Sequence, residues 1–413
     1  MSITECAEHD VWLTRLANHL KEERYGCCVP SYRLYARRFL SYLQNEGLTV
    51  QTARPSDVGI YLNALRARRK SDHRARSSKY LRASHRSAVH MLLRLVHGQW
   101  PPAPVARNER ERFHDGLIGE YDTWMRDLRG LATTTRSARC AEARRFLEWL
   151  AGRGTQGRLA SITVSDMDKY VEWRASAMSR RGLKSAIGHL RGFLRHLHRS
   201  GRITDIGSAL MSPRVYTLEG IPSAFRAEDI DKVLSYTRAD RRPIGLRDYA
   251  MLLLLSSYGL RAGEVVALCL EDIDWEHDRL TIRHSKTGVC SDLPLLKAPG
   301  EAILDYLRRA RPKTRSREVF VRATAPYRAF RSGGGLYAAL QERLKGAGVI
   351  PQGRRGPHAF RHARAVSLLK RDTPLKVIGD VLGHRSMQST MAYLKLDAET
   401  LRGVALEIPG VAP

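Results

Sequence analysis

The tetrad Arg37-Arg38-Phe39-Leu40 recurs as Arg144-Arg145-Phe146-Leu147, and this recurrence constrains the first half of the chain more than any other feature. Around the first copy, Leu34, Tyr35, Phe39, Leu40, Tyr42 and Leu43 fall on the stripe of an amphipathic helix; Trp149 and Leu150 continue the second. Downstream, Pro55-Ser56-Asp57-Val58 opens a helix carrying Ile60, Tyr61, Leu62 and Leu65, and Val164-Ser165-Asp166-Met167 opens one carrying Tyr170, Val171 and Trp173. Ser and Asp at such starts satisfy free helix-end amides. Each block closes on a basic amphipathic helix, 84–98 with Met91, Leu92, Leu95 and Val96, and 185–198 with Ile187, Leu190, Phe193 and Leu194. The alternative is coincidence between two generic helical stretches; helix order, capping positions and spacing agree together and favour duplication. The expectation is an N-terminal helical module over 1–105 and a second over 106–205, parted by Trp100-Pro101-Pro102-Ala103-Pro104.

The pattern changes after a Gly- and Pro-punctuated linker at 206–221. Residues 224–236 read as a helix and 246–258 as a strongly apolar, buried one. Short β signals follow at 266–270, 280–284 and 289–293, with Lys286-Thr287-Gly288 as the turn of a hairpin. Helical patterns return at 300–310, 334–347, 358–371, 374–382 and 386–393. The fold class expected is mainly α and multidomain: two helical modules, then a mixed α+β unit over 222–413 with a small antiparallel sheet.

Charge narrows the partner. Lys plus Arg number 70 against 42 Asp plus Glu in 413 residues, a formal net charge of +28. The excess is spread along the chain, with clusters at 66–76, at Arg136, Arg139, Arg144 and Arg145, and at 308–317. Several folded parts are thus expected to face one polyanion. A membrane surface is disfavoured because no segment reads as an interfacial helix with a Trp/Phe face. The longest dense apolar run, 249–255, falls far short of the ~20 residues that span a bilayer. The N-terminus has no basic-then-apolar leader pattern. The six cysteines show neither CxxC nor zinc spacing, which fits reduced thiols in a cytoplasmic, nucleoid-associated protein.

Six polar residues stand in suggestive places in this last unit. Arg261 follows Tyr258-Gly259-Leu260 at the end of the apolar helix, Lys286 tips the hairpin, and His358 and Arg361 sit at i and i+3 on one helix. His384 follows Leu382-Gly383, and Tyr393 closes Thr390-Met391-Ala392-Tyr393. Singly, each is uninformative. In this order, TyrGlyLeuArgAlaGlyGlu at 258–264, SerLysThrGly at 285–288, HisAlaPheArgHis at 358–362 and LeuGlyHisArgSerMetGlnSerThrMetAlaTyr at 382–393 resemble the tyrosine recombinase (phage integrase) family. The resemblance covers about 222–400, and the module at 113–203 is similar to that family's SAM-like core-binding domain. Two departures stand out: Phe360 where the family often has Leu, and the extra module before residue 105.

The resemblance implies a site-specific DNA recombinase working through a 3′-phosphotyrosyl link, with Arg261, Lys286, His358, Arg361, His384 and Tyr393 as its catalytic residues. The residue chemistry agrees. A phenol serves both as nucleophile and as leaving group in a reversible exchange. Two guanidiniums can clamp non-bridging phosphate oxygens. A lysine on a turn can protonate the departing 5′ oxygen, and a histidine can take and return the phenol proton. No metal and no cofactor are expected. Glu264, one turn after Arg261, is expected to orient it rather than to react. The partners implied are double-stranded DNA at specific sites and a homotetramer acting through a Holliday junction, possible co-acting recombinases included. Integration, excision, dimer resolution and transposition of a mobile element all remain open, with a tilt toward a mobile element. Two further alternatives stay open as well. The 396–406 tail docks on a neighbouring protomer or packs on its own, and the N-terminal module contacts DNA or another protein. The competing functions are type IB topoisomerase-like relaxation, a non-catalytic DNA-binding scaffold and, on charge alone, RNA binding.

Overall fold

The computed structural model describes residues 3–67, 77–102, 106, 108–152, 159–216, 224–284, 288–351, 353, 355–383 and 390–391. The chain divides into two compact units, one formed by 1–102 together with 220–413 and the other by 103–219. Among the described residues no helix is long and apolar enough to cross a membrane.

In the first unit, α1 (Ile3–Glu22), α2 (Val29–Asn45), α3 (Pro55–Ala67) and α4 (Ser77–His97) enclose one core. Leu16, Leu20, Phe39, Leu40, Leu92 and Leu93 are fully buried there, while Arg37 and Arg38 on α2 stay exposed. Of the helix stripe read around Phe39, Phe39, Leu40 and Leu43 are buried and Tyr35 and Tyr42 partly so, whereas Leu34 is exposed. At the start of α3, Asp57 accepts the Arg54 N–H at 2.8 Å and occupies one of the free amides of the helix end. Phe39 meets Tyr61 edge-on at 5.2 Å, and Tyr61 also packs on Tyr42. The Tyr61 hydroxyl is hydrogen-bonded to His85 Nδ1 at 2.9 Å, and Tyr35 stacks on that imidazole. The module touches the rest of its unit through Arg24, which donates to the Lys313 carbonyl, and Glu23, which accepts from Arg328. Of the basic cluster expected at 66–76, residues 68–76 lie outside the described residues.

The second unit comprises α5 (Glu109–Asp127), α6 (Thr133–Ala151), α7 (Val164–Ala175) and α8 (Arg180–Arg199). The N-terminus of α7 is capped reciprocally: Thr163 Oγ1 accepts from the Asp166 amide, and Asp166 accepts from the Thr163 amide at 3.0 Å. Phe146 meets Tyr170 edge-on at 5.1 Å, with Trp149 packed on the same ring. Leu183, Ile187, Leu190, Leu194 and Leu197 bury one face of α8. Ile206 and Leu210 bury into this core too, although the sequence places them in a linker. They have no periodicity to betray them, because irregular backbone can still bury isolated apolar side chains.

Residues 224–391 hold α9 (Ala227–Ala239), α10 (Pro243–Tyr258), α11 (Ala262–Ala267), a sheet, α12 (Lys297–Arg309), α13 (Gly334–Gly346), α14 (Pro357–Leu369) and α15 (Leu375–Leu382). The sheet is antiparallel in the order β1 (Ile273–Asp274), β2 (Arg279–Arg283), β3 (Cys290–Pro294), with Leu280 opposite Leu293 and Arg283 opposite Cys290. α10 is apolar nearly all round and is buried accordingly. The strand expected at 266–270 is not formed. Its first residues belong to α11, a 3₁₀ turn follows at Leu270–Asp272, and the edge strand lies at 273–274. A short, mostly buried apolar run such as Val265-Val266-Ala267-Leu268 fits helix and strand equally, and the Glu264 cap on the Arg261 amide tips it to helix. Arg311, read as part of a surface cluster, instead donates to the carbonyls of Val319, Ser316 and Glu318. The helix expected at 386–393 is seen only at 390–391, and the 396–406 tail lies outside the described residues.

Candidate active site

Two left-handed glycines frame the site. Gly259 (φ 67°) ends α10 and Gly383 (φ 61°) ends α15, each turning the chain sharply where a side chain would be strained. Just beyond the first turn, Arg261 takes an extended conformation as the N-cap of α11. Glu264 fixes it from the first turn of that helix, accepting the Arg261 amide at 2.8 Å with one oxygen and its Nη1 at 2.6 Å with the other. The other end of the guanidinium, Nη2, donates to the Gly383 carbonyl at 3.3 Å. Arg261 keeps 18% of its side chain exposed, so the fork is anchored from behind and open in front.

Pro357 starts α14 after the extended Gly356, a placement that exploits the fixed φ of proline. His358 is exposed in this first turn. Arg361, one turn on, is only 3% exposed and donates through Nη1 to the Gly259 carbonyl at 2.9 Å and through Nη2 to the Leu382 carbonyl. The pair expected on one face thus straddles its edge, His358 outward and Arg361 inward. The two guanidiniums converge on successive carbonyls of one turn, Leu382 and Gly383.

The hairpin reaches the same place. His284 N–H donates to the Val289 carbonyl and Gly288 N–H to the His284 carbonyl, closing the loop with Gly288 left-handed. Residues 285–287, with Lys286 among them, lie outside the described residues, as do His384 and Tyr393. Their flanks are placed. His284 and Gly288 bracket Lys286, Gly383 precedes His384, and Thr390 is buried against α15, where a Cβ built at Gly379 would come within 3.2 Å of its Oγ1.

His284 was not singled out from the sequence. Its Nδ1 donates to Glu264 Oε1 at 2.9 Å, and its Nε2 lies 3.0 Å from Ser291 Oγ on β3. The signal was available: Leu280 and Ile282 alternate inward along β2 and His284, just past its end, follows in the same series, so a histidine continues a buried apolar series and needs polar partners there. Burial alone would push the Glu264 carboxyl up. The hydrogen bonds from His284 and from Arg261 outweigh it and hold that carboxyl below its usual range. Glu264 fills the orienting role expected of it. Among the described residues, no group of three or more His, Cys, Asp or Glu side chains could hold a metal ion.

Residues 224–400 match the model of the phage integrase family. The chain is 35% identical over 406 residues to y4rA of Sinorhizobium fredii, an integrase/recombinase by name, covering 97% of this chain and 95% of that protein. It is 51% identical over 190 residues to y4gC of the same organism, also an integrase/recombinase by name, covering 46% of this chain and 97% of the relative. A crystal structure of XerH site-specific recombinase bound to a palindromic difH substrate superposes with a TM-score of 0.56 at 14% identity, over 73% of this chain and 89% of that one.

Proposed function

We propose, on the premise that this chain belongs to the phage integrase family and is an enzyme of site-specific recombination that cleaves and rejoins DNA strands, that Arg261, Lys286, His358, Arg361, His384 and Tyr393 form its active site. The observation that carries the reading is the convergence of Arg261 and Arg361 on the turn that leads into His384. Two permanently charged forks anchored side by side suit the non-bridging oxygens of one phosphate, where charge builds in the transition state.

The steps balance without an energy source. The Tyr393 oxygen attacks phosphorus and the 5′ oxygen leaves, so one P–O ester bond forms as another breaks. His358, exposed at the start of α14, takes the phenol proton. Lys286 delivers a proton to the departing 5′ oxygen, and His384 donates a hydrogen bond to the phosphate. The 5′-hydroxyl of a partner strand then attacks the 3′-phosphotyrosyl link and releases the phenol. A nicked suicide substrate tests this: Tyr393→Phe is expected to abolish the covalent protein–DNA adduct, and an adduct that persists with Phe at 393 would refute the nucleophile.

The partner in this reading is double-stranded DNA carrying specific sites, bound by a homotetramer in the nucleoid-associated cytoplasm. In support, a tetramer of lambda integrase bound to a Holliday junction shares the fold at a TM-score of 0.53. The element served is a mobile one, in keeping with the integrase names of the relatives.

Residues 1–105 are read as a second DNA-clamp module, a copy of 106–205, with 206–221 joining it to the catalytic unit at 222–413. Support comes from matched internal contacts. Phe39, Tyr42 and Tyr61 cluster as Phe146, Trp149 and Tyr170 do, and Asp57 and Asp166 each take the amide of the residue three before. Exposed Arg37 and Arg38 stand where Arg144 and Arg145 stand in the other copy. Deleting 1–105 is expected to shorten the DNA footprint and to flatten the salt dependence of binding; if both stay unchanged, the module does not contact DNA.

A further inference from the structure

Among the described residues, the imidazole of His284 meets the start of α11, strand β3 and the turn at 382–383. Its Nδ1 reaches Glu264, which holds Arg261; its Nε2 reaches Ser291 on the strand that pairs with β2; and its edge abuts Gly383, which precedes His384 in sequence. A Cβ at Gly383 would lie 2.5 Å from His284 Cε1, so backbone and ring are in direct contact. We propose that His284 is a positioning residue of the recombination reaction, locking the Lys286 hairpin, the Arg261 guanidinium and the 382–383 turn into one arrangement. The inference rests on the active-site assignment made above.

The hydrogen-bond inventory sets the direction of each link. A carboxylate only accepts, and Glu264 is held ionised by its partners, so Nδ1 of His284 carries a hydrogen. Oε1 of Glu264 takes both this hydrogen and that of Arg261 Nη1 at 2.6 Å. One oxygen therefore couples the plane of the imidazole to the plane of the guanidinium. Without the imidazole donor, Oε1 is bound from one side only, and Arg261 can swing with it. The ring also fills the space between the hairpin and Gly383, so its loss frees the base of the loop on which Lys286 rides. Buried polar networks of this kind are rigid while complete and mobile when one member is missing.

The catalytic consequence is misplacement rather than loss of a reacting group. A shift of about 1 Å at a charge-bearing donor can cost a hundredfold in rate while substrate binding, spread over many phosphate contacts, barely changes. Three substitutions in the full-length chain separate the possibilities. His284→Asn keeps a donor where Nδ1 stands. His284→Gln moves its donor to the Nε2 end, and His284→Leu keeps bulk without any donor.

Each variant is to be assayed for single-turnover cleavage of a nicked suicide substrate, for DNA affinity and for thermal melting. The cleavage assay is repeated with a methylphosphonate at the scissile position, which removes a charged non-bridging oxygen that Arg261 would otherwise meet. His284→Leu and His284→Gln are expected to cleave about a hundredfold more slowly with affinity changed less than about threefold, and His284→Asn to stay within about fivefold of wild type. On the methylphosphonate the Leu and Gln deficits are expected to shrink to below about tenfold, because less charge remains for Arg261 to match. Equal deficits on both substrates, or equal rates for the Asn and Gln variants, would overturn the proposal. Should the Leu variant fail to fold, the Asn–Gln comparison still decides. Failure of the active-site assignment itself would show separately, as an adduct that survives Tyr393→Phe.

Discussion

Arg361 donates a 2.9 Å hydrogen bond to the carbonyl of Gly259, the left-handed residue that ends α10 two positions before Arg261. One guanidinium thereby braces the turn that launches the other. Lysine cannot do the same, since a point charge on a flexible stem lacks the fork that serves the Gly259 and Leu382 carbonyls together. Arg361→Lys is expected to lose about 1–3 kcal/mol in urea unfolding at unchanged m, the cost of a buried acceptor left unpaired. Suicide-substrate cleavage should fall by at least about a hundredfold. A variant that cleaves at the wild-type rate would remove Arg361 from the site.

Gly259 itself admits no side chain. Its φ of 67° is left-handed, and a Cβ would lie 2.7 Å from Leu382 Cδ2 and 3.4 Å from Arg364 Cβ. Gly259→Ala should cost about 1–2 kcal/mol for the backbone and about 1–3 kcal/mol more for overpacking. Gly263, inside α11 with nothing within 4 Å of its would-be Cβ, is the control. Gly263→Ala is expected to be neutral or to stabilise by about 0.5–1 kcal/mol, as measured by thermal melting.

Acid should loosen the site through Glu264. Its carboxyl titrates below the ordinary range in the folded chain, because the hydrogen bonds from His284 and Arg261 overcome the opposing effect of burial. A depressed carboxyl contributes stability that is fully present above the unfolded pKa of ~4.3 and is lost as pH falls through the folded value. The stability gap between wild type and Glu264→Gln should hold constant above about pH 5 and narrow below about pH 4. A gap that stays flat down to about pH 3 would mean the carboxyl is not depressed.

The second unit holds a buried ionic cluster. Glu142, 4% exposed, accepts from Tyr170 at 2.7 Å, from Arg174 Nε at 2.9 Å and from Arg145 at 2.7 Å. Removing one partner strands the partly buried Arg174. Glu142→Leu should therefore cost about 3–5 kcal/mol, and Glu142→Leu with Arg174→Met should cost less than the single change. Urea unfolding measures both, and hydrogen exchange should locate the loss in α6–α8. Equal losses in the single and double variants would mean that Arg174 is not stranded.

Much of this was legible in the sequence because it is local. Helix stripes around Phe39 and Phe146, Asp57 and Asp166 in the first turn of their helices, and Gly259 and Gly383 at helix ends are all set within a few residues. The family resemblance of the motifs around them also singled out Arg261 and Arg361, and one helical turn of separation cast Glu264 as the holder of Arg261. Whether the short apolar run after Arg261 forms helix or strand was not legible, because so few residues satisfy both alike. Nor could spacing show that Ile206 and Leu210 leave the linker for a core.

What the chain encodes by itself is thus periodicity, capping and the list of chemically able side chains, each governed by interactions within a turn or two. Only the tertiary structure decided that Arg261 reaches the Gly383 carbonyl 122 residues away and that His284 lies between Glu264 and Ser291. Such pairings depend on which buried donors find acceptors once α10, α14, α15 and the hairpin pack together. Every candidate pair looks alike until desolvation makes the unmatched ones costly.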